Sequence, residues 1–180
     1  VTTNATLIAK VIGAGSAARD PQALLEEICN LCKGPVSAEV LSKDEEGMMR
    51  EARAYAKLAP NIVVKLPLTT EGLKAVRACT EEKIKTNVTR CFSPEQAILA
   101  AKAGAAYLSP FVGRLEVSAD HAANDTANDG IDLVRKIVAV YKMYDLPTEV
   151  LIASVRGPNH MIDAPLVGAH IATAPFAILQ

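Results

Sequence analysis

The chain has 180 residues, of which 50% are hydrophobic and 22% are charged, and its formal net charge is −1 at pH 7. This length and composition predict one domain over residues 1–180 with a sizeable aliphatic core, and the near-zero charge gives no electrostatic case for nucleic acid or an anionic membrane as a partner. No apolar run reaches the roughly 18 residues of a membrane helix, no signal peptide is recognisable, and the four cysteines are too sparse for a disulfide scaffold, which together predict a cytoplasmic protein.

The first third of the chain is predicted to begin with a β-prone segment at residues 1–4. Asn4 can cap a helix over residues 5–12, because its side chain can accept a hydrogen bond from an N–H group of the first turn. Three further elements follow from hydrophobic periodicity and capping signals. They are a helix over residues 21–33, a strand over residues 35–41 that contains Glu39, and a helix over residues 44–58 capped near Ser42.

Residues 13–18 read GAGSAA and match the G-x-G-x-x-A pattern of a dinucleotide-binding turn. An oxidoreductase of this kind would need residues 7–12 to form a strand and Glu39 to bind a ribose. Pro21 interrupts the helix that should follow the turn, because proline is poorly tolerated beyond a first helical turn. A connector is therefore the preferred interpretation, and the dinucleotide-binding oxidoreductase stays as an alternative.

Cys29 and Cys32 form a C-x-x-C pattern, which without a second pair is weak support for zinc or redox chemistry. We expect both to pack on the apolar face of their helix, together with Leu31.

Residues 61–72 read NIVVKLPLTTEG and contain the strongest candidate for chemistry. Residues 62–64 are apolar and β-branched without alternation, which predicts a strand buried on both faces. Lys65 follows directly, and burial of an amine favours its neutral, nucleophilic form, which can make a Schiff base with a carbonyl. The alternative is a lysine whose amine reaches solvent at the strand end. Thr69 or Thr70 can cap the next helix, predicted over residues 71–80.

The alternation of strand and helix continues to the C-terminus. Strands are predicted over residues 84–91, 106–111, 148–155 and 168–174, and helices over residues 94–103, 131–144 and 159–167. The polar loop at residues 118–128 and the neighbouring Asp129 offer carboxylates and an imidazole, but no known metal-ligand spacing fits them, so a solvated loop is preferred. His160 and His170 are interpreted as structural residues.

Seven predicted strands joined by helical crossovers indicate a parallel sheet, either doubly wound or closed as a (β/α)8 TIM barrel. Nearly every strand carries polar residues in its latter half. In a closed barrel these ends converge on one mouth, whereas an open sheet spreads them along an edge, so the pattern favours the barrel.

Several blocks of the sequence together resemble the small transaldolases, a group related to fructose-6-phosphate aldolase. They are VTTN at 1–4, SAEV at 37–40, NIVVKLPLTTEGLKAV at 61–76, KTNVT at 85–89, AGAAYLSPFVGR at 103–114 and IASVR at 152–156. The resemblance implies a (β/α)8 barrel that works without metal or organic cofactor on sugar phosphates. It also implies a first strand before Val1, bearing a catalytic Asp, and further C-terminal helices, so we expect a longer reading frame whose full product is a homo-oligomer.

The resemblance implies that Lys65 attacks the ketone of fructose 6-phosphate or sedoheptulose 7-phosphate and passes a dihydroxyacetone unit to an aldose phosphate, a reaction of the pentose phosphate pathway. Glu39 and Thr89 match residues that hold the water used for proton transfer. Glu39 and Phe111 match the transaldolases, whereas the aldolases have Gln and Tyr there. The alternatives are an aldolase of the fructose-6-phosphate type and an inactive truncated remnant.

The remaining matches concern substrate binding. Asn4 and Ser109 match residues that bind hydroxyls of the dihydroxyacetone part, and Asn87 matches a residue lining the pocket. Arg114, Ser154 and Arg156 match a phosphate site, where two guanidiniums and a hydroxyl offer fixed donors. Two positions depart from the family, because Ala5 replaces a proline and Arg90 replaces an aliphatic residue.

Overall fold

The computed structural model describes residues 1–13, 20–115 and 129–180. Helices and strands alternate along these ranges. The helices are α1 Ala5–Gly13, α2 Pro21–Leu31, α3 Glu45–Leu58, α4 Thr70–Glu81, α5 Pro94–Lys102, α6 Val112–Leu115, α7 Asp129–Met143, α8 Pro158–Leu166 and α9 Phe176–Leu179. The strands are β1 Val36–Glu39, β2 Ile62–Pro67, β3 Thr86–Cys91, β4 Tyr107–Pro110, β5 Glu149–Ile152 and β6 Ile171–Ala172.

Residues 1–87 form one compact unit. In it β1 pairs with β2 in parallel, in a register that sets Glu39 opposite Lys65. Thr2 makes a parallel bridge to Ser37 on the other side of β1. The predicted β-prone segment at residues 1–4 is therefore extended, but a single bridge is all the pairing it makes with the described residues.

Residues 88–180 form a second compact unit. Here β4 pairs with β5 and β5 pairs with β6, both in parallel. Phe111 bridges Ala153, which extends the β4–β5 pairing by one residue pair. The prediction of one domain over residues 1–180 stays a prediction.

Strand β3 begins in the first unit and ends in the second. Just before it, the Lys85 carbonyl accepts a hydrogen bond of 2.9 Å from the Val64 N–H. At its end, the Cys91 carbonyl accepts one of 3.4 Å from the Phe111 N–H. Within each unit the strands thus follow one another in chain order, without the reversal that marks a doubly wound sheet. The predicted fold class, α/β with the parallel strands of a TIM barrel, is confirmed.

Side chains cap several of the helices that join the strands. Oxygens of Asp20, Asp44, Thr69 and Ser93 accept hydrogen bonds from first-turn N–H groups. The cap of α3, predicted near Ser42, is Asp44, whose side chain accepts a hydrogen bond of 2.8 Å from the Gly47 N–H.

Two further expectations are corrected by the structure. Helix α2 ends at Leu31 rather than at residue 33, and Leu31 is 80% exposed rather than packed inward with Leu24, Leu25 and Cys29. The short helices α6 and α9 were not predicted, since four residues carry too little periodicity to recognise. None of the helices in the described ranges is long and apolar enough to span a bilayer.

The dinucleotide-binding alternative fails on the strand that it requires. Residues 5–13 are helical, so no strand leads into the glycine-containing motif. Residues 14–18 of that motif, and the polar loop at residues 118–128, lie outside the described residues.

Candidate active site

A buried amine and a carboxylate contact each other in the first unit. The Nζ of Lys65 donates a hydrogen bond of 2.9 Å to Oε2 of Glu39. The two side chains are only 6% and 14% exposed. The alternative of a lysine that reaches solvent is therefore wrong, since the ammonium is directed to a carboxylate within the protein.

Parallel pairing accounts for this contact between residues 26 positions apart. Glu39 ends β1 and Lys65 lies opposite it in β2, so both side chains leave the sheet on the same side. The next N–H along the chain, that of Val40, donates to the Lys65 carbonyl at 3.1 Å. The two backbones are thus fixed at the position where the side chains meet.

A second buried polar contact involves Ser37, which lies on the same face of β1 as Glu39, two residues before it. Asn87 is fully buried, and its Nδ2 donates to the Ser37 hydroxyl at 3.0 Å. Ser37 and Glu39 share a face because side chains alternate along a strand. The Ser37 carbonyl in turn accepts a hydrogen bond of 2.6 Å from the Thr3 hydroxyl. Sequence reasoning did not select Ser37 or Thr3, although the alternation of side chains along a strand would have indicated Ser37, two positions before Glu39.

A cavity of about 450 Å³ opens beside Glu39 in this unit. Asn4 and Tyr55 line it, together with the apolar residues Ile8 and Ile12 of α1. The Oδ1 of Asn4 accepts a hydrogen bond of 2.9 Å from the Leu7 N–H, which confirms the predicted cap of α1. Asn4 therefore has a structural role at the helix start as well as a place on the cavity wall.

The second unit holds Thr89 and Ser109, which are 0% and 1% exposed. The Thr89 hydroxyl has no hydrogen-bond partner among the described residues. A buried hydroxyl without a partner is unfavourable by roughly 1–3 kcal/mol, so the site has capacity for a water or a ligand oxygen.

The predicted phosphate site involves Ser154 and Arg156, just after β5. Ser154 has φ 62°, a strained value for a residue with a side chain. Gly113 packs against this turn so closely that a Cβ there would lie 2.8 Å from Cγ of Arg156. This approach brings the backbone at the start of α6, which carries Arg114, next to Arg156. The side chain of Arg114 is not described.

His160 supports the same turn, because its Nδ1 accepts a hydrogen bond of 3.3 Å from the Arg156 N–H. The Nδ1 of His170 similarly accepts a hydrogen bond of 3.1 Å from the Val150 N–H. The structural interpretation of both histidines is confirmed.

Phe111, another residue of the predicted site, packs against an aromatic neighbour. Its ring stands edge-on to that of Phe92, with centroids 6.0 Å apart.

Three cysteines, Cys29, Cys79 and Cys91, are core residues, whereas Cys32 lies just past the end of α2 and is half-buried, so its predicted packing on the helix face is wrong. All four are free thiols, and burial raises the pKa of Cys79 to about 11 and that of Cys91 to about 12. Burial also raises the pKa of Cys29, which packs inward from α2. Their protonated thiols are poor nucleophiles, so the Lys65 amine remains the stronger candidate.

Parallel strands joined by helices, with a lysine and a glutamate buried together at neighbouring strand ends, define an α/β protein with the kind of site that enzymes of this fold use. The family model for Transaldolase/Fructose-6-phosphate aldolase matches residues 1–180. The chain belongs to this family.

Longer curated relatives support the same assignment. The chain is 50% identical over 180 residues to a probable transaldolase of Anaeromyxobacter sp. (strain Fw109-5), with 100% of this chain and 77% of that protein covered. It is likewise 50% identical over 181 residues to a probable transaldolase of Caldicellulosiruptor saccharolyticus, with the same shares covered. These matches support a transaldolase-type member of the transferase and aldolase family.

Solved structures resemble the chain more distantly. Two structures of a mandelate oxidase variant superpose with TM-scores of 0.57 and 0.58, at 21% and 19% identity. Each comparison covers 83% of this chain, which spans about half the length of the other protein, with 51% and 52% covered. At these identities the likeness concerns the fold alone.

Proposed function

We propose that this chain is a transaldolase that transfers a dihydroxyacetone unit from a ketose phosphate to an aldose phosphate through a Schiff base on Lys65. The observation that carries the proposal is the buried Lys65 amine, 5% exposed and 2.9 Å from the Glu39 carboxylate. An amine so placed has a proton acceptor within hydrogen-bond reach and little competing water.

The first steps follow from this pair. Glu39 takes a proton from the Lys65 ammonium, and the free amine adds to the ketone carbon of fructose 6-phosphate. The carbonyl oxygen gains two protons and leaves as water, which gives an iminium. A base then takes the proton of the C4 hydroxyl, and the C3–C4 bond breaks to release glyceraldehyde 3-phosphate. The electron pair of the broken bond passes to the iminium and leaves the dihydroxyacetone carbons on Lys65 as an enamine, which adds to the aldehyde carbon of the aldose phosphate acceptor.

The family resemblance supplies roles for the remaining residues. Thr89 is proposed to hold a water for proton transfer, and its buried hydroxyl without a described partner supports this role. Asn4, Asn87 and Ser109 are proposed to bind or surround the dihydroxyacetone hydroxyls. Arg114, Ser154 and Arg156 are proposed to bind the phosphate, a role supported by the strained turn at Ser154 and its close packing on Gly113.

Glu39 and Phe111 favour the transferase over the aldolase. A carboxylate can take a proton from the amine and return one later, whereas the amide of the aldolases can only orient a water. We place the reaction in the pentose phosphate pathway on the same resemblance, and the protein in the cytoplasm on the sparse cysteines of the sequence.

Borohydride trapping tests the proposal. The chain is incubated with fructose 6-phosphate, reduced and mapped by peptide mass spectrometry, and we expect a three-carbon adduct on Lys65. Lys65→Met should abolish the adduct, and Lys85→Met, which changes an exposed lysine of the same unit, should leave it intact. No adduct in the unsubstituted chain, or an adduct elsewhere, would refute the Schiff-base assignment.

Product release separates the two activities of the family. Without an acceptor, a transaldolase should release about one equivalent of glyceraldehyde 3-phosphate, since the three-carbon unit stays on the lysine. Continuous release at a steady rate would instead identify an aldolase.

A further inference from the structure

The segment that follows Glu39 is held by one carboxylate from α3. Glu51 accepts a hydrogen bond of 2.6 Å from the Leu41 N–H on Oε2 and one of 2.9 Å from the Ser42 N–H on Oε1. Its Oε1 also accepts a hydrogen bond from the Ser42 hydroxyl. Three donors on one carboxylate make a charge-assisted clamp.

Apolar burial does little to hold this segment. The Leu41 side chain is 67% exposed and Ser42 is only half-buried. Against α3, the segment lies so close that a Cβ on Gly47 would be 2.6 Å from Cβ of Ser42. The path of residues 41–42 therefore depends on hydrogen bonds to Glu51 and on the lack of a side chain at Gly47.

Glu39 lies where β1 ends and the segment held by Glu51 begins. On its sheet side it is in register with Lys65, and the Val40 N–H donates to the Lys65 carbonyl. On its other side the chain reaches the Glu51 clamp after two residues. Glu39 is the last residue of β1, and beyond the Val40 N–H the backbone of the described chain is next held by the hydrogen bonds of Leu41 and Ser42 to Glu51.

We infer that Glu51 is a positioning residue for the reaction, which acts through residues 41–42 to keep the Glu39 carboxylate against the Lys65 amine. The inference rests on the proposed function, in which Glu39 accepts the ammonium proton. Proton transfer needs the two groups at hydrogen-bond distance, and a misplacement of about 1 Å can slow a reaction roughly 100-fold.

The test uses Glu51→Gln in the full 180-residue chain. The amide keeps the size of the side chain but offers one acceptor oxygen and directs an NH₂ group at a donor. We expect adduct formation on Lys65 with fructose 6-phosphate to slow roughly 10- to 100-fold, with the half-saturating substrate concentration changed less than about twofold. Ser42→Ala, which removes one of the three donors, should give a smaller decrease.

Two control variants lie on the same helix. Glu46→Gln neutralises a carboxylate whose side chain is 92% exposed, and it should react at the unsubstituted rate. Ala52→Gly lowers helix stability next to Glu51 without touching the clamp. If it matches Glu51→Gln in thermal stability yet reacts normally, a loss of stability does not explain the slow rate.

The outcomes are distinct. Slow adduct formation in Glu51→Gln and Ser42→Ala, with normal rates in both controls, supports the inference. Normal rates in Glu51→Gln and Ser42→Ala, or an equal decrease in Ala52→Gly, overturn it while the proposed function stands. Absence of an adduct in the unsubstituted chain overturns the proposed function and this inference together.

Discussion

Removal of the Lys65 ammonium should destabilise the fold through the charge that it leaves behind. At 2.9 Å, opposite unit charges attract by about 6 kcal/mol at an effective dielectric constant of about 20. Desolvation of the two ions offsets most of this, so the intact pair contributes little net stability. Lys65→Met keeps the apolar volume but leaves the Glu39 carboxylate, 14% exposed, without its countercharge. We expect the free energy of unfolding to fall by about 3 kcal/mol.

The double variant Lys65→Met/Glu39→Gln makes this reasoning testable. It removes both charges, so it should be less than about 1.5 kcal/mol below the unsubstituted chain, whereas Glu39→Gln alone should lose about as much as Lys65→Met. Urea unfolding followed by circular dichroism measures all four proteins. Two outcomes would refute a buried, coupled pair: a Lys65→Met variant within 0.5 kcal/mol of the parent, on the order of surface substitutions, or a double variant that loses the sum of the single losses.

Three further predictions concern single groups. Thr69→Ala should lower the free energy of unfolding by about 1 kcal/mol in urea titrations, because the Thr69 hydroxyl caps α4. Lys83→Gly should raise it by about 1 kcal/mol, because Lys83 has φ 60°, a conformation that glycine adopts without strain. Stability should fall as pH rises from 9 towards 11, by about 1.4 kcal/mol at pH 10 for each of Cys79 and Cys91, since burial keeps these thiols protonated in the folded chain while the unfolded chain ionises them.

Each of these predictions has a matched control. Thr70→Ala, at the other threonine that the sequence offers as a cap, should change stability by less than about 0.5 kcal/mol. Lys85→Gly should lower stability, since Lys85 is not among the described residues of positive φ. Cys79→Ala should lessen the decline of stability between pH 9 and 11, and an unchanged decline would contradict the assignment to that thiol.

Local signals in the sequence were enough for the longer elements and for the choice of Lys65 as the main chemical candidate. The β-branched run at residues 62–64 predicted a buried strand, and the capping threonines predicted the start of α4. Both are confirmed, because a strand buried on both faces and a helix start each have a local chemical cause. Capping was ambiguous only where two acceptors lie close together, as at Ser42 and Asp44.

The sequence by itself determined the alternation of strand and helix, and it selected Lys65 as an amine placed next to a buried strand. Only the tertiary structure decided that Glu39 is its partner, because register between parallel strands joins residues that no local pattern connects. The clamp of Glu51 on residues 41–42 was equally invisible in the sequence, since a carboxylate on a helix becomes a positioning group only when packing brings free N–H groups to it.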